Sequence, residues 1–135
     1  MPESAMSLGR ILVVEDEPGL LRVLVRYLTR LGYEAVAAAR ASEALEWFRA
    51  DPAGFAAVLT DLSLPDMRGE ELVVRLRELN PALPVLVASG SPSELACHPA
   101  MEGARTVYLA KPFTPRMLAD ALEQLLDASG GPQSS

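Results

Sequence analysis

The stretch ILVVEDEP, residues 11–18, starts as an apolar run and ends in three consecutive carboxylates. Four apolar residues in succession indicate a strand that is buried on both faces, as in a parallel sheet. Glu15, Asp16 and Glu17 follow at once, and like charges this close repel and raise one another's pKa unless a positive charge lies among them. The stretch therefore predicts a buried strand with a cation at its carboxyl end.

Four more apolar runs follow along the chain and alternate with segments of helical period. They are EAVAAA (34–39), AAVLT (56–60), PVLVAS (84–89) and TVYLA (106–110). This alternation predicts an α/β fold, a doubly wound parallel sheet of five strands with helices on both faces. In such sheets ligands bind beyond the carboxyl ends of the strands. The three carboxylates of the first stretch lie at one of those ends.

The intervening helices are predicted from apolar residues that recur every three or four positions. The first helix has Leu20, Leu24, Tyr27, Leu28 and Leu31, and the third has Leu72, Leu76 and Leu79. The second carries Trp47 and Phe48, of which one should pack inward and the other stay partly exposed. Thr114 and Pro115 are typical of a helix start. The inward face of this last helix is predicted to comprise Met117, Leu118, Ala121, Leu122 and Leu125.

The composition is that of one small globular domain. The chain has 135 residues, and 50% are hydrophobic, enough for a single core. No apolar run approaches the roughly 20 residues of a membrane span, and residues 1–9 lack the regions of a signal peptide, so the expected location is the cytoplasm. A net charge of −6 argues against direct binding of nucleic acid. The single cysteine, Cys97, argues against disulfide or zinc chemistry.

Polar side chains follow several of the predicted strands, at the edge where the carboxyl ends of the strands meet. Besides Glu15 and Asp16, they are Asp61 after the third strand, Ser89 at the end of the fourth and Lys111 after the fifth. Lys111 is the only lysine beside eleven arginines, which indicates a position that needs a compact ammonium rather than a planar guanidinium. These residues predict one site that combines carboxylates, a hydroxyl and an ammonium.

With these motifs the chain resembles the receiver domains of two-component response regulators, over about residues 9–127. The resemblance runs through the acidic pair after the first strand, LTDLSLPDMRG around Asp61, VASG around Ser89, and VYLAKPF around Tyr108 and Lys111. It implies a flavodoxin-like strand order 2-1-3-4-5 and a role in a bacterial phosphorelay. The phrases LTDLSLPDMRGEEL and PVLVASG are especially similar to receivers of hybrid sensor histidine kinases.

The resemblance implies that Asp61 accepts a phosphoryl group from a histidine of a kinase or phosphotransfer domain. Lys111 and Ser89 would stabilise charge on the transferring group. Ser89 and Tyr108 would act as the switch that changes the surface of the last two helices. The implied Mg²⁺ site consists of Asp16 as a direct ligand, Glu15 through a metal-bound water, Asp61 and the carbonyl of Ser63. Glu17 is expected to be solvated, with no role at the site.

The implied protein is a signalling module rather than an enzyme, because it would catalyse only its own magnesium-dependent phosphorylation and dephosphorylation. Its expected partners are a histidine kinase or histidine-phosphotransfer domain and a downstream protein target, without direct nucleic-acid or membrane contact. The expected assembly is a monomer or weak dimer, either a stand-alone regulator or a domain of a hybrid kinase. Glu15 and Ser89 stand where aspartate and threonine are more frequent in the family, and both keep the needed chemistry.

Two other functions share this architecture. A flavodoxin-like electron carrier would have a hydroxyl- and glycine-rich phosphate loop after the first strand, where this chain has EDEP. A magnesium-dependent phosphohydrolase usually has its nucleophile after the first strand and needs a cap domain, for which 135 residues leave no room. Release of a bound flavin, or rapid turnover of small phosphate esters, would favour these alternatives.

Further expectations concern the last third of the chain and its ends. The family implies one continuous helix over residues 91–103, but Pro99 beyond a first turn would cost about 3 kcal/mol. A short helix over about 99–103, after a loop or single turn at 92–97, is therefore predicted, with His98 in the surface loop. The family also implies a cis bond between Lys111 and Pro112. Residues 1–8 and 128–135 are expected to be flexible.

Overall fold

The computed structural model describes residues 8–90 and 105–129. Its centre is a sheet of five parallel strands, β1 (Arg10–Val14), β2 (Glu34–Ala38), β3 (Ala57–Asp61), β4 (Val85–Ser89) and β5 (Thr106–Ala110). The strand order is β2-β1-β3-β4-β5, which confirms the predicted fold class and topology. Each strand lies within one residue of the apolar run that predicted it.

Helices cover both faces of the described sheet. They are α1 (Pro18–Leu31), α2 (Ala41–Ala50), α3 (Gly69–Leu79) and α4 (Pro115–Ser129). One hydrophobic cluster lies between the sheet and the pair α2 and α3, and a second lies between the sheet and the pair α1 and α4. Because β3 and β4 are buried at every position, their apolar residues run consecutively rather than in alternation. The buried polar residues, Thr60, Asp61 and Ser89, stand only at the carboxyl ends of these strands.

The start of α1 corrects one expectation. Glu17, expected only to be solvated, is the N-cap residue of α1, and its Oε1 accepts a hydrogen bond of 2.7 Å from the N–H of Leu20. A carboxylate is favourable there because it binds a free N–H group and lies at the positive end of the helix dipole. The helix ends at Leu31 and is capped by Gly32, whose φ of 103° is left-handed and suits glycine.

The last helix begins as predicted, with Pro115 as its first residue and the hydroxyl of Thr114 accepting a hydrogen bond of 3.1 Å from the N–H of Met117. Phe48 is buried and Trp47 is 47% exposed, as expected. The prediction that Met117 faces inward is wrong, because its side chain is 41% exposed. Met117 lies in the first turn, at the margin of a stripe that other residues complete: Leu118, Ala121, Leu122 and Leu125.

Several expectations fall on parts of the chain outside the described residues. These are the short helix over 99–103, the loop with Cys97 and His98, and most of the terminal segments expected to be flexible. Within the described residues, no helix is both long and apolar enough to span a membrane. The bond between Lys111 and Pro112 is cis, as predicted.

Candidate functional site

Three carboxylates gather at the carboxyl edge of the sheet. Glu15 and Asp16 follow β1, and Asp61 is the last residue of the adjacent parallel strand β3. Each of the three acids offers one carboxylate oxygen, and these atoms lie within 4.8 Å of one another. Glu15 and Asp61 are only 3% and 8% exposed, while Asp16 is exposed. Two of the three negative charges are therefore poorly solvated.

Lys111 reaches the same cluster from the end of β5. Its Nζ lies 3.1 Å from Oε1 of Glu15 and 3.4 Å from Oδ2 of Asp61. The backbone N–H of Lys111 donates a hydrogen bond of 2.7 Å to the carbonyl of Ser89, which fixes this residue beside the end of β4. Burial lowers the pKa of Lys111, but the charges of Glu15 and Asp61 outweigh burial and raise that pKa above its ordinary value. The side chain is therefore a stable cation.

Within the described residues the cluster keeps an excess of negative charge, since its one paired cation, Lys111, contacts two of the three carboxylates. Desolvation by burial raises the pKa of Glu15, and the charge of Asp61 adds to the rise. The N–H of Glu17, 3.2 Å from Oε2 of Glu15, and the ammonium of Lys111 offset only part of it. Closely spaced carboxylate oxygens with uncompensated charge are the ligands that hard divalent cations take in proteins. The donor set therefore fits Mg²⁺.

The loop between β3 and α3 is held against Asp61 by a glycine. The N–H of Gly69 donates a hydrogen bond of 2.9 Å to the carbonyl of Leu62, and Ser63 pairs with Arg68 in an isolated antiparallel bridge. A Cβ at Gly69 would collide with the carbonyl oxygen of Asp61 and would lie 2.7 Å from Cα of Leu62. Only glycine allows this closure, which fixes the position of Ser63, the predicted carbonyl ligand.

Asp66 fastens the same loop to α2. Its Oδ1 accepts a hydrogen bond of 2.9 Å from the N–H of Ala41, and its Oδ2 accepts one of 3.0 Å from the N–H of Ser42. Slight desolvation raises the pKa of Asp66, but these two hydrogen bonds outweigh desolvation and hold that pKa below its ordinary value. The loop that follows Asp61 is thus tied to the second helix by a charge-assisted cap.

Neither Asp66 nor Gly69 was assigned a role at the site from the sequence. Gly69 gave a usable signal, since it stands at a predicted helix start shortly after Asp61. Asp66 gave none, because the helix that it caps begins 25 residues earlier in the chain. Sequence capping rules compare neighbouring residues only.

The two predicted switch residues lie on neighbouring strands. Ser89 is buried at the end of β4. Tyr108 is half-buried in β5 and packs against the cluster shared with α2 and α3. Gly90, the next residue, is exposed, and a Cβ there would meet no described atom within 4 Å. The positions of Ser89 and Tyr108 are compatible with a coupled movement, and their switching role stays a prediction.

Comparisons with known proteins agree with this geometry. The family model described as the response regulator receiver domain matches residues 11–123. The response regulator receiver protein CpdR of Brucella abortus is 33% identical over 121 residues, which cover 89% of this chain and 98% of that protein. The DNA-binding transcriptional regulator NtrC of Azospirillum brasilense is 32% identical over 127 residues, 94% of this chain, and this chain spans only 26% of that regulator.

A solved structure shows the same fold. It is the response regulator protein TrrA of Thermotoga maritima in complex with Mg²⁺ and BeF, with a TM-score of 0.78 and 26% sequence identity. The superposition covers 88% of this chain and 100% of that chain.

Proposed function

The chain belongs to the family of response regulator receiver domains of two-component signalling, and we propose that it accepts a phosphoryl group on Asp61. The proposed donor is a phosphohistidine of a sensor kinase or of a phosphotransfer domain. One observation carries the proposal: Asp61 lies among three converging carboxylates, and the only lysine of the chain is 3.4 Å from its Oδ2.

A magnesium ion is the proposed cofactor. One carboxylate oxygen from each of Glu15, Asp16 and Asp61 lies within 4.8 Å of the other two, and among the described residues Lys111 is the only cation paired with this cluster. We assign Asp16, Asp61 and the carbonyl of Ser63 as direct ligands, and Glu15 as the residue that holds a metal-bound water. The ion would supply positive charge that offsets the repulsion between Asp61 and an incoming phosphoryl group.

The proposed chemistry is a single in-line transfer. A carboxylate oxygen of Asp61 forms a bond to phosphorus while the bond from phosphorus to the donor's imidazole nitrogen breaks. That nitrogen keeps the electron pair, so the donor leaves as a neutral histidine once it has taken up a proton. Lys111 offers its ammonium, and Ser89 its hydroxyl, to the phosphoryl oxygens. Water later hydrolyses the acyl phosphate, and no turnover of any other substrate is proposed.

The proposed output is a change in a protein-binding surface. The phosphoryl group would draw Ser89 toward it, and Tyr108 would move into the vacated space. Support comes from their positions on the paired strands β4 and β5 and from the half-buried side chain of Tyr108. New hydrogen bonds to an added dianion stabilise one of two packings and so shift their populations. The receiver, residues 9–127, would act in the cytoplasm as a monomer or weak dimer, alone or within a hybrid kinase.

The test is phosphorylation by acetyl phosphate, followed by intact-mass measurement. Wild-type protein with Mg²⁺ should gain the mass of one phosphoryl group, while Asp61→Asn, and wild type in excess chelator, should gain none. The matched control is Asp120→Asn, which removes an exposed carboxylate of α4 and should behave as wild type. Phosphorylation of Asp61→Asn in the presence of chelator would refute the proposal.

Lys111→Arg tests the reason for a lysine at this position. The substitution keeps the positive charge but replaces a compact ammonium by a planar guanidinium. We expect reduced coupling between phosphorylation and the Tyr108 region, measured as a smaller change in hydrogen exchange on β5. A response equal to that of wild type would contradict this assignment for Lys111.

A further inference from the structure

The first helix carries a row of three arginines on its outer surface. Arg22, Arg26 and Arg30 follow one another at intervals of four residues, so they lie on one face of α1, and all three are exposed. The helix sequence, PGLLRVLVRYLTRL, contains no carboxylate. Like charges at this spacing destabilise a helix, and the row stands on a protein whose net charge is −6. Arg30 lies in the last turn, where a cation suits the helix dipole, but Arg22 and Arg26 lie outside that turn, so helix stability does not explain the row as a whole.

These arginines also differ from others in the chain. Within residues 8–90 and 105–129, no carboxylate forms an ion pair with Arg22, Arg26 or Arg30. Five other arginines are bonded to protein groups by ion pairs or hydrogen bonds, namely Arg10, Arg68, Arg75, Arg77 and Arg105. Arg40, Arg49 and Arg116 have no ion pair within those ranges either, but they stand singly and not in a row. The α1 row is thus a set of cations whose partners are not supplied by the described protein.

An apolar groove runs beside this row, between α1 and β2, the outermost strand on that side of the sheet. Its volume is about 540 Å³, and its lining residues are Leu21, Arg22, Val25, Arg26, Thr29 and Ala37. The hydroxyl of Thr29 donates a hydrogen bond of 2.8 Å to the carbonyl of Val25 in its own helix. The lining of the groove therefore combines apolar side chains with two of the three arginines of the row.

We propose that this surface, the α1 arginine face (Arg22, Arg26, Arg30 and the groove beside them), binds an acidic amphipathic helix of a partner protein. Four residues of a helix span about 6 Å, so carboxylates at every fourth position of the partner match the spacing of the arginines. Apolar side chains next to those carboxylates would fill the groove. The positive charge of the arginines and the apolar lining of the groove together favour an acidic amphipathic helix as the ligand.

The same observations disfavour other anionic surfaces. The apolar face of α1 is buried in the core through Leu24 and Leu28, so the helix cannot insert that face into a bilayer. A net charge of −6 repels a nucleic acid, whose phosphates extend well beyond the length of one helix. The proposal does not rest on phosphoryl transfer, because Arg22, Arg26 and Arg30 are not among the residues proposed for that chemistry.

The experiment uses the full chain and a designed helical peptide of about 20 residues, with Glu at every fourth position and Leu directly before each Glu. Fluorescence anisotropy of the labelled peptide gives the affinity. Arg22→Ala/Arg26→Ala should weaken binding about tenfold. The matched control, Arg49→Ala/Arg116→Ala, removes the same charge from two other exposed arginines and should leave the affinity unchanged.

Two further variants separate this proposal from simple charge attraction. Val25→Ser should weaken binding although it leaves every charge in place, and Arg22→Glu/Arg26→Glu should bind a lysine version of the peptide instead. Chemical shift changes in the wild-type complex should centre on residues 21–30 and 37. Circular dichroism and thermal unfolding, unchanged in these variants, would exclude misfolding as the cause of weaker binding.

Four outcomes would overturn the proposal. Equal weakening by the control pair, or equal binding of a scrambled peptide, would show attraction by net charge alone. Arginine-dependent binding to phosphatidylserine vesicles without peptide binding would show a lipid surface as the occupant. Self-association that disappears in Arg22→Ala/Arg26→Ala, measured by sedimentation, would show a second copy of this chain.

Discussion

At the amino end of the sheet, Arg77 is bonded to three acceptors inside the protein, while at the carboxyl end Lys111 pairs with two of three clustered carboxylates. Arg77, in α3, donates from Nε to the carbonyl of Leu83 at 3.2 Å, and from Nη2 to the carbonyl of Arg105 at 2.8 Å and to the hydroxyl of Thr106 at 2.9 Å. Its fork therefore connects a helix to the segments where β4 and β5 begin.

The carboxyl end differs because its charges are not balanced. Lys111 serves both Glu15 and Asp61, and Asp16 has no ion pair within the described ranges. A cation bonded to fixed carbonyls stabilises the fold, whereas an excess of carboxylates opposes folding until a ligand arrives. The residue types at the two ends of the sheet differ accordingly. A planar guanidinium suits acceptors that are fixed in the protein, and a compact ammonium suits a ligand that binds and is released.

The largest effect on stability is expected from Arg77→Met. Removing the guanidinium leaves the carbonyls of Leu83 and Arg105 without this donor, at a cost of about 3 kcal/mol in the free energy of unfolding. Urea unfolding measures it. Arg75→Met is the control, since Arg75 is exposed and, among the described residues, bonded only to Glu71, and it should cost less than about 0.5 kcal/mol. A loss below about 1 kcal/mol for Arg77→Met would contradict the structural role of Arg77.

Gly69→Ala tests whether the carboxyl end also contains purely steric constraints. The added Cβ meets backbone atoms of Asp61 and Leu62, which cannot turn away as a side chain can, so we expect a loss of about 2 kcal/mol. Phosphorylation by acetyl phosphate should fall as well, because the loop shifts at Asp61. A Cβ at Gly90 meets none of the described atoms within 4 Å, so Gly90→Ala should change stability by less than about 0.5 kcal/mol. Equal stability of the two variants would show that the loop can relax.

The free energies of unfolding of wild type and Asp61→Asn, compared with and without Mg²⁺, measure the effect of the unbalanced carboxylates. In chelator the variant should be more stable than wild type by about 0.5 kcal/mol, because one of the repelling carboxylates is gone. Magnesium at ten times its Kd should stabilise wild type by about 1.4 kcal/mol and the variant by clearly less. Urea midpoints measure both quantities. If Mg²⁺ stabilises the two proteins equally, Asp61 is not a ligand.

The smallest effect is expected at Asp66 and depends on pH. Because hydrogen bonds from α2 lower the pKa of Asp66, its contribution to stability is present above the unfolded pKa of about 3.9 and is lost as pH falls through the lower folded pKa. Asp66→Ala should therefore destabilise by about 0.5 kcal/mol at neutral pH, allowing for exposure of the carboxylate. Comparison of urea midpoints at pH 7 and about pH 3 should show the difference shrinking. If the stability difference between wild type and Asp66→Ala is the same at both pH values, the contact does not depend on the charge of the carboxylate.

The strands were predictable because burial on both faces leaves a signal in consecutive residues. The carboxyl-edge acids were predictable for a related reason, since parallel strands bring together whatever follows each of them. Lys111 could be found through its rarity in the composition. These features depend on local sequence and on one topological rule.

Other features depend on contacts that no local pattern contains. Arg77 binds the carbonyl of Arg105, 28 residues away, and a backbone acceptor carries no side-chain identity that a sequence can show. Met117 has the right residue type for a core position, but other side chains of α4 form the buried face of that helix, and Met117 lies at its margin. Glu17 was overlooked as a cap because it belonged to a row of acids that suggested a cation.

The division of the core into two clusters has a consequence for how such proteins diversify. Side chains of α1 and α4 pack on one side of the sheet and those of α2 and α3 on the other, so pairs of substitutions on opposite sides should have additive energies. Mutations that alter recognition on the α1 side then need no compensating change around Asp66 and Gly69. Substitutions on the α1 and α4 side of the sheet can therefore change binding specificity while the α2 and α3 side, with its anchored loop, keeps its structure.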